Sequence, residues 1–87
     1  MNLLIVFDSV HQAIRAEQLL LKAGLQVELM PTPREISISC GQSLSLRPDD
    51  FDIAREILVR EKVAFRGIYS VQPVHRVYEM LLSGKTN

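Results

Sequence analysis

The chain holds one cysteine, Cys40, and the residues around it are those best suited to chemistry. A thiolate is a strong nucleophile near neutral pH once its pKa is modestly lowered, so it needs no elaborate base. Gly41 follows without a side chain to obstruct approach, and Ser37, Ser39 and the amides of the same segment are donors able to stabilise negative charge on sulfur. Arg34 and His11 are of the right type for a cationic partner to that sulfur. The expectation is a free thiol with a lowered pKa. Cys40 also fits a second reading, a small hydrophobe packed in the core, since cysteine is among the most buried residue types.

Other chemistries find no foothold. Cys40, His11 and His75 lack the paired spacings of a zinc site, so no metal is expected. There is no Gly-rich phosphate loop, no Ser, His and Asp arrangement, and no supported carboxylate pair. Asp49, Asp50 and Asp52 read as a helix start instead. His11 reads equally as cover for a helix start, and His75 as a solvent-facing residue. Arg34 and Glu35 form either an exposed first turn after Pro33 or a contact for an anion or partner.

These residues must be positioned by elements that hydrophobic periodicity outlines. Leu3 to Phe7 is a short apolar run suited to a central strand buried on both faces. Ser9 precedes Gln12 by three residues, the spacing of a capping box, and predicts a helix start. Ala13, Ile14, Ala16, Leu19, Leu20 and Ala23 recur at threes and fours, and Gly24 supplies the stop. Leu25 to Met30 alternates as a strand and runs into Pro31 and Pro33. The segment PTPREISISCG, Pro31 to Gly41, has a composition suited to backbone shape more than core filling. Gln42 to Leu46 alternates Ser43 and Ser45 with Leu44 and Leu46, a strand with one wet and one dry face. Asp49 or Asp50 caps the next helix, with Phe51, Ile53, Ala54, Ile57, Leu58 and Val63 inward. Phe65 to Val71 is a fourth strand, and Val74, Val77, Tyr78, Leu81 and Leu82 predict a short last helix ended by Gly84.

That order predicts an α/β (α+β) fold: a ferredoxin-like βαββαβ sandwich with an additional C-terminal helix. Residues 1–87 form one domain, with a core over 1–72, the helix over 73–83 and a frayed tail at 84–87. Both main helices cover one sheet face. Gln26, Glu28, Ser43, Ser45, Arg66 and Ser70 would wet the other, with the last helix or a second copy of the chain covering its apolar centre.

Composition narrows the partners. Ten basic and ten acidic residues give zero formal net charge, which removes the electrostatic footprint of a nucleic-acid binder. No stretch is long enough for a membrane helix, and the apolar start reaches Asp8 too soon for a signal peptide. One cysteine forms no internal disulfide, so the expected setting is cytoplasmic. With 47% hydrophobic residues the chain has material for a core. Without a resemblance to guide it, this pattern admits a small-ligand or anion-binding module, or an interaction domain, with Cys40 structural.

Two blocks carry a resemblance. FDSVHQAIRAEQLL at Phe7 to Leu20 and PTPREISISCG at Pro31 to Gly41 together resemble the small bacterial domain family described as Putative Se/S carrier protein-like, over most of the chain through Val71. In the first block Ser9, His11, Ala13, Ala16 and Glu17 carry the likeness; in the second, the run from Pro31 to Ser37 followed by Ser39, Cys40 and Gly41. The resemblance implies a carrier that holds sulfur or selenium on Cys40 as a persulfide or selenosulfide and passes it on. It implies work near selenium metabolism, with a cysteine desulfurase or sulfurtransferase-type protein as partner, although the Cys-Pro-x-Pro motif of such sulfurtransferases is absent here. Arg34, Ser37, Ser39, Gly41 and His11 would support the thiol, and Arg34 and Glu35 would meet the partner. No cofactor is implied, and the carrier would be at most sulfurtransferase-like, without independent turnover. A homodimer through the open sheet face or the C-terminal helix is the expected assembly.

Overall fold

A computed structural model of the chain describes residues 2–36, 41–72 and 77–83. It is an α+β fold with strands β1 (Asn2–Val6), β2 (Val27–Pro31), β3 (Gln42–Leu46), β4 (Gly67–Gln72) and β5 (Val77–Ser83) and helices α1 (Val10–Lys22) and α2 (Phe51–Arg60). The five strands form one sheet in the order β2-β3-β1-β4-β5, with every neighbouring pair antiparallel. The apolar first strand therefore occupies the middle, as its composition predicts.

The core lies between one sheet face and both helices. Leu3, Ile5 and Phe7 meet Leu44 and Leu46 of β3, Ile68 of β4, Ala13, Ala16 and Leu20 of α1, and Ala54, Ile57 and Leu58 of α2. Small alanines on the helix faces allow close approach to the sheet, and leucines, isoleucines and Phe7 fill the remaining volume. Three residues of the predicted apolar stripes turn out to face solvent: Ala23, at the C-cap of α1, and Ile14 and Ile53, which are 41% and 50% exposed. Ile14 and Ile53 each sit roughly 100° round their helix from the buried Ala13 and Ala54 that precede or follow them, beyond the stripe that touches the sheet.

Helix ends follow local chemistry. Ser9, in extended geometry, caps α1 by accepting from the Gln12 N–H at 3.2 Å. At the other end the Gly24 N–H donates to the Leu21 carbonyl and the Leu25 N–H to the Leu20 carbonyl, both at 3.0 Å, with Gly24 at φ 90°. Leu25 is thereby used in the cap, which is why β2 starts later than the alternation suggests. Asp50 stands at the N-cap of α2 without a side-chain hydrogen bond, after a 3-10 turn over Pro48–Asp50. Lys62 ends α2 with φ 57°. Gly24 and Lys62 thus hold similar left-handed positions with opposite suitability. Gly24→Ala is expected to cost about 1 kcal/mol and Lys62→Gly to gain about 1 kcal/mol, because the left-handed penalty comes from Cβ. Urea midpoints moving in opposite directions would bear this out; Cβ crowding is no confounder at Gly24, where nothing lies within 4 Å.

The predicted C-terminal helix is not formed: Val77–Ser83 is strand β5, paired with β4 from Gln72↔Val77 to Gly67↔Ser83. Residues 73–76, including His75, and the tail 84–87 lie outside the described residues. The outer edge of β4 would otherwise present a row of unpaired N–H and C=O groups, and a returning segment satisfies them. The run VYEMLL is apolar enough to fit either period, and its Val and Tyr suit a strand. Register shifts between Ile68 and Tyr69, leaving Leu81 as the extra residue of a bulge, 45% exposed.

This strand extends the sheet instead of covering it. The face away from the helices nonetheless has a buried centre, since Leu4, Val6 and Ser43 are 3%, 0% and 0% exposed. Ser70 was expected there but pairs in register with Leu3, on the helix side, and is buried. Pro31 ends β2 opposite Gln42; it is tolerated because β2 is an edge strand.

Candidate functional site

One end of the sheet gathers most of the residues singled out by their chemistry. There β1 and β2 finish, β3 and β4 begin, and α1 starts after a short turn. The Phe7 N–H donates to the Gln42 carbonyl at 3.3 Å, tying the exit of β1 to the start of β3. The Arg66 N–H donates to the Val6 carbonyl at 2.6 Å, and its guanidinium lies 3.6 Å from Asp8 Oδ1. That pair is solvent-exposed and is a modest contribution to stability.

The segment that holds Cys40 closes the β2–β3 hairpin on this end. Its base is fastened twice: the Thr32 N–H donates to the Gly41 carbonyl at 3.2 Å, and the Thr32 and Ser43 hydroxyls lie 2.7 Å apart. The Ile36 N–H donates to the Pro33 carbonyl at 3.0 Å, which makes Pro33 to Ile36 a turn that presents Arg34 and Glu35. Both are exposed, as is Gly41. A Cβ at Gly41 would meet nothing within 4 Å, so packing places no demand for glycine there. Ser37, Ser39 and Cys40 themselves lie outside the described residues.

His11 falls in the first turn of α1, exposed and at the same end of the sheet. No hydrogen bond or ion pair joins it to Arg34, Glu35 or Gly41. Topology thus collects His11, Arg34, Glu35 and Gly41 at one end without building them into one bonded cluster. Among the described residues no group of three His, Cys, Asp or Glu side chains is placed to hold a metal. No helix among them is long and apolar enough to cross a membrane.

One pairing at this end escaped sequence reading, and one expected pairing is only half made. Thr32 and Ser43 meet only because Pro31 pairs with Gln42, a register that no local pattern announces. Gln12 gives its N–H to Ser9, yet its Oε1 is buried without a hydrogen-bond partner, so the expected capping box is closed in one direction only. Thr32→Val is expected to cost about 1–2 kcal/mol, because it strands the fully buried Ser43 hydroxyl, while adding Ser43→Ala should recover part of the loss. A double-mutant cycle in urea measures it; independent, additive losses would contradict the pairing.

The loop and the scaffold beneath it are also what a family comparison covers. The family described as Putative Se/S carrier protein-like matches residues 2–70. The chain belongs to this family. The matched span runs from β1 into β4 and includes the whole Thr32 to Gly41 hairpin loop with the chain's single cysteine. Strand β5 lies beyond it, so the element misread as a helix is an addition to the Se/S carrier-like region. No curated protein and no solved structure matches the chain.

Proposed function

We propose that this protein carries one sulfur or selenium atom on Cys40, as a persulfide or selenosulfide, and hands it to a partner protein. The observation that carries this reading is the family match over residues 2–70, a span whose sole nucleophile of thiol type is Cys40. The exposure of Arg34 and Glu35 on one side of this loop and of Gly41 on the other supports it.

The chemistry is thiol exchange. The Cys40 thiolate attacks the terminal sulfur of a donor persulfide, R–S–SH; a new S–S bond forms, the donor's S–S bond breaks, and the donor leaves as its thiolate with the electron pair. An acceptor thiolate later attacks the carried atom and returns Cys40 to its thiolate. Selenium follows the same route from a donor R–S–SeH. The carried atom changes hands without net oxidation, so no cofactor or external oxidant is required. The protein is then a stoichiometric carrier and not a turnover enzyme.

A cysteine desulfurase or a sulfurtransferase-type protein fits as donor, in a bacterial cytoplasm and in the service of selenium metabolism. The fold reading belongs with this proposal: β3 lying between β1 and β2, with β1 between β3 and β4, supports a ferredoxin-like split βαβ arrangement enlarged by β5. Association of two copies through the sheet face away from the helices stays within this proposal, but not to cover an apolar centre, since Leu4 and Val6 are already buried within one chain, and not through a C-terminal helix, since that segment is a strand. Sedimentation as a monomer at high concentration would remove that assembly.

The carrier test is intact mass after incubation with a cysteine desulfurase and cysteine, then with selenocysteine. A gain of one sulfur or selenium atom, reversed by a thiol reductant, is the expected result. No gain from either, with Cys40 also inert to iodoacetamide in the folded state, would overturn the reading.

A further inference from the structure

Across residues 31–33, Pro-Thr-Pro, the one backbone donor is the Thr32 N–H, because proline has none. Thr32 is also stiff. Its β-branched side chain has few rotamers, and the proline after it restricts its backbone to extended geometry. The fold engages both of its donors: the N–H donates to the Gly41 carbonyl at 3.2 Å, and the hydroxyl lies 2.7 Å from that of Ser43. Residues 33–40 leave the sheet at Thr32 and return at Gly41, so these contacts tie the entry of the cysteine loop to its exit.

The two contacts differ in firmness. Ser43 stands in register with Met30 of β2 and Val6 of β1 and is fully buried, so it is fixed by strands on both sides. Thr32 follows Met30 by two residues, falls on the same sheet face and reaches Ser43 diagonally. Gly41 is the loose end. It is exposed, a Cβ there would meet nothing within 4 Å, and glycine has the widest backbone freedom. What the described residues give it is the Thr32 hydrogen bond. Cys40 is the next residue along the chain. A continuous path therefore runs from the buried part of β3, through the Thr32 hydroxyl and N–H, to the residue bonded to Cys40.

We propose that Thr32 is the positioning residue of the thiol: paired with Ser43, it holds the loop in the geometry in which Cys40 reacts. Donors around a thiolate stabilise it only while they are held in place, so a loop loosened at its base loses reactivity without unfolding. A hydroxyl pair with a structural role alone would show its loss in stability and nowhere else. That the reactivity serves sulfur transfer rests on the carrier reading; the positioning does not.

The test is the rate at which iodoacetamide alkylates Cys40 in the folded full chain, followed against pH. Thr32→Val removes the hydroxyl at nearly constant volume. The midpoint of its profile is expected to rise by about one unit toward that of an ordinary thiol, about 8.5. Below the midpoint the rate falls about threefold, because tenfold less thiolate is partly offset by the greater nucleophilicity of a more basic one. Ser43→Ala should move the profile alike, and Thr32→Ser, which keeps the hydroxyl, should restore it. The double variant Thr32→Val with Ser43→Ala decides between the roles: it strands no buried hydroxyl and recovers stability in part, while its profile stays shifted. Ile57→Val, a core change beside Leu19 and Ala23, should lower stability with the profile unmoved. An unmoved profile in Thr32→Val, no rescue by serine, or a profile that follows stability in the double or the Ile57 variant would each overturn the proposal. Loading of the parent by inorganic polysulfide reports on the carrier reading alone: the thiolate takes a terminal sulfur, a new S–S bond forms as the polysulfide's breaks, and the shortened polysulfide leaves with the electron pair. Failed loading with the Thr32 effect retained would remove that reading and keep the positioning role; loading with an unmoved profile would do the reverse.

Discussion

Cys40→Ser is expected to abolish sulfur and selenium loading completely while the fold survives. The size of the effect follows from the nucleophile. A thiol has an appreciable thiolate fraction near pH 7, whereas a serine hydroxyl reacts only with an adjacent base to take its proton. Among the described residues, no bonded His, Asp or Glu arrangement at this end of the sheet would supply one. Because Cys40 is the chain's only cysteine, any reducible gain of sulfur in the parent has one possible address. Intact mass of the two proteins side by side reads the outcome directly. Retained loading in the serine variant would show that the atom is held elsewhere or noncovalently, and would end the thiol assignment.

Phe7→Ala is expected to produce the largest loss of stability, about 3–5 kcal/mol. Phe7 is fully buried and heads the large side chains with no solvent contact. It packs with Leu20 of α1 and Leu44 of β3 in the cluster that joins sheet and helices. An 87-residue domain has roughly 4–13 kcal/mol in total, so this single change removes a large fraction and in the lower range unfolds the protein. Its consequence is also local, since the Phe7 N–H bonds the Gln42 carbonyl at the base of the cysteine loop. Urea denaturation gives the number, with Ile53→Ala as the control: that side chain is half exposed and should change stability by no more than about 0.5 kcal/mol. A Phe7→Ala loss close to the control's would mean that the core is not organised as described.

Both predictions draw on features of different legibility. Cys40, Gly41, Arg34 and Glu35 could be singled out from residue type and from the prolines that shape their segment; the structure makes Pro33 to Ile36 a turn and leaves Arg34, Glu35 and Gly41 exposed. Ser37, Ser39 and Cys40 lie outside the described residues. Thr32 and Ser43 were not legible, because two hydroxyls eleven residues apart meet only through a hairpin register. Nor was the exposure of Ile14, which satisfies the helical spacing of a core residue as well as Ala13 does. The two differ only in where the sheet lies.

By itself the sequence determined what depends on neighbours along the chain. The apolar run of β1, the Ser9 cap, the Gly24 stop, the alternation of Gln42 to Leu46 and the helical spacing of Ala54, Ile57 and Leu58 are local signals, and each yields its element. The family is legible for the same reason, being carried by contiguous residues of two short blocks. Tertiary structure alone decided what depends on pairing across the chain. Val77 to Leu82 satisfies a helical period and a strand equally, and the open edge of β4 made it a strand, because unpaired backbone groups there have no other partner. Ser70 went to the buried side and not the wet one because its register with Leu3 assigns its face, and a strand's side chains can only alternate from there.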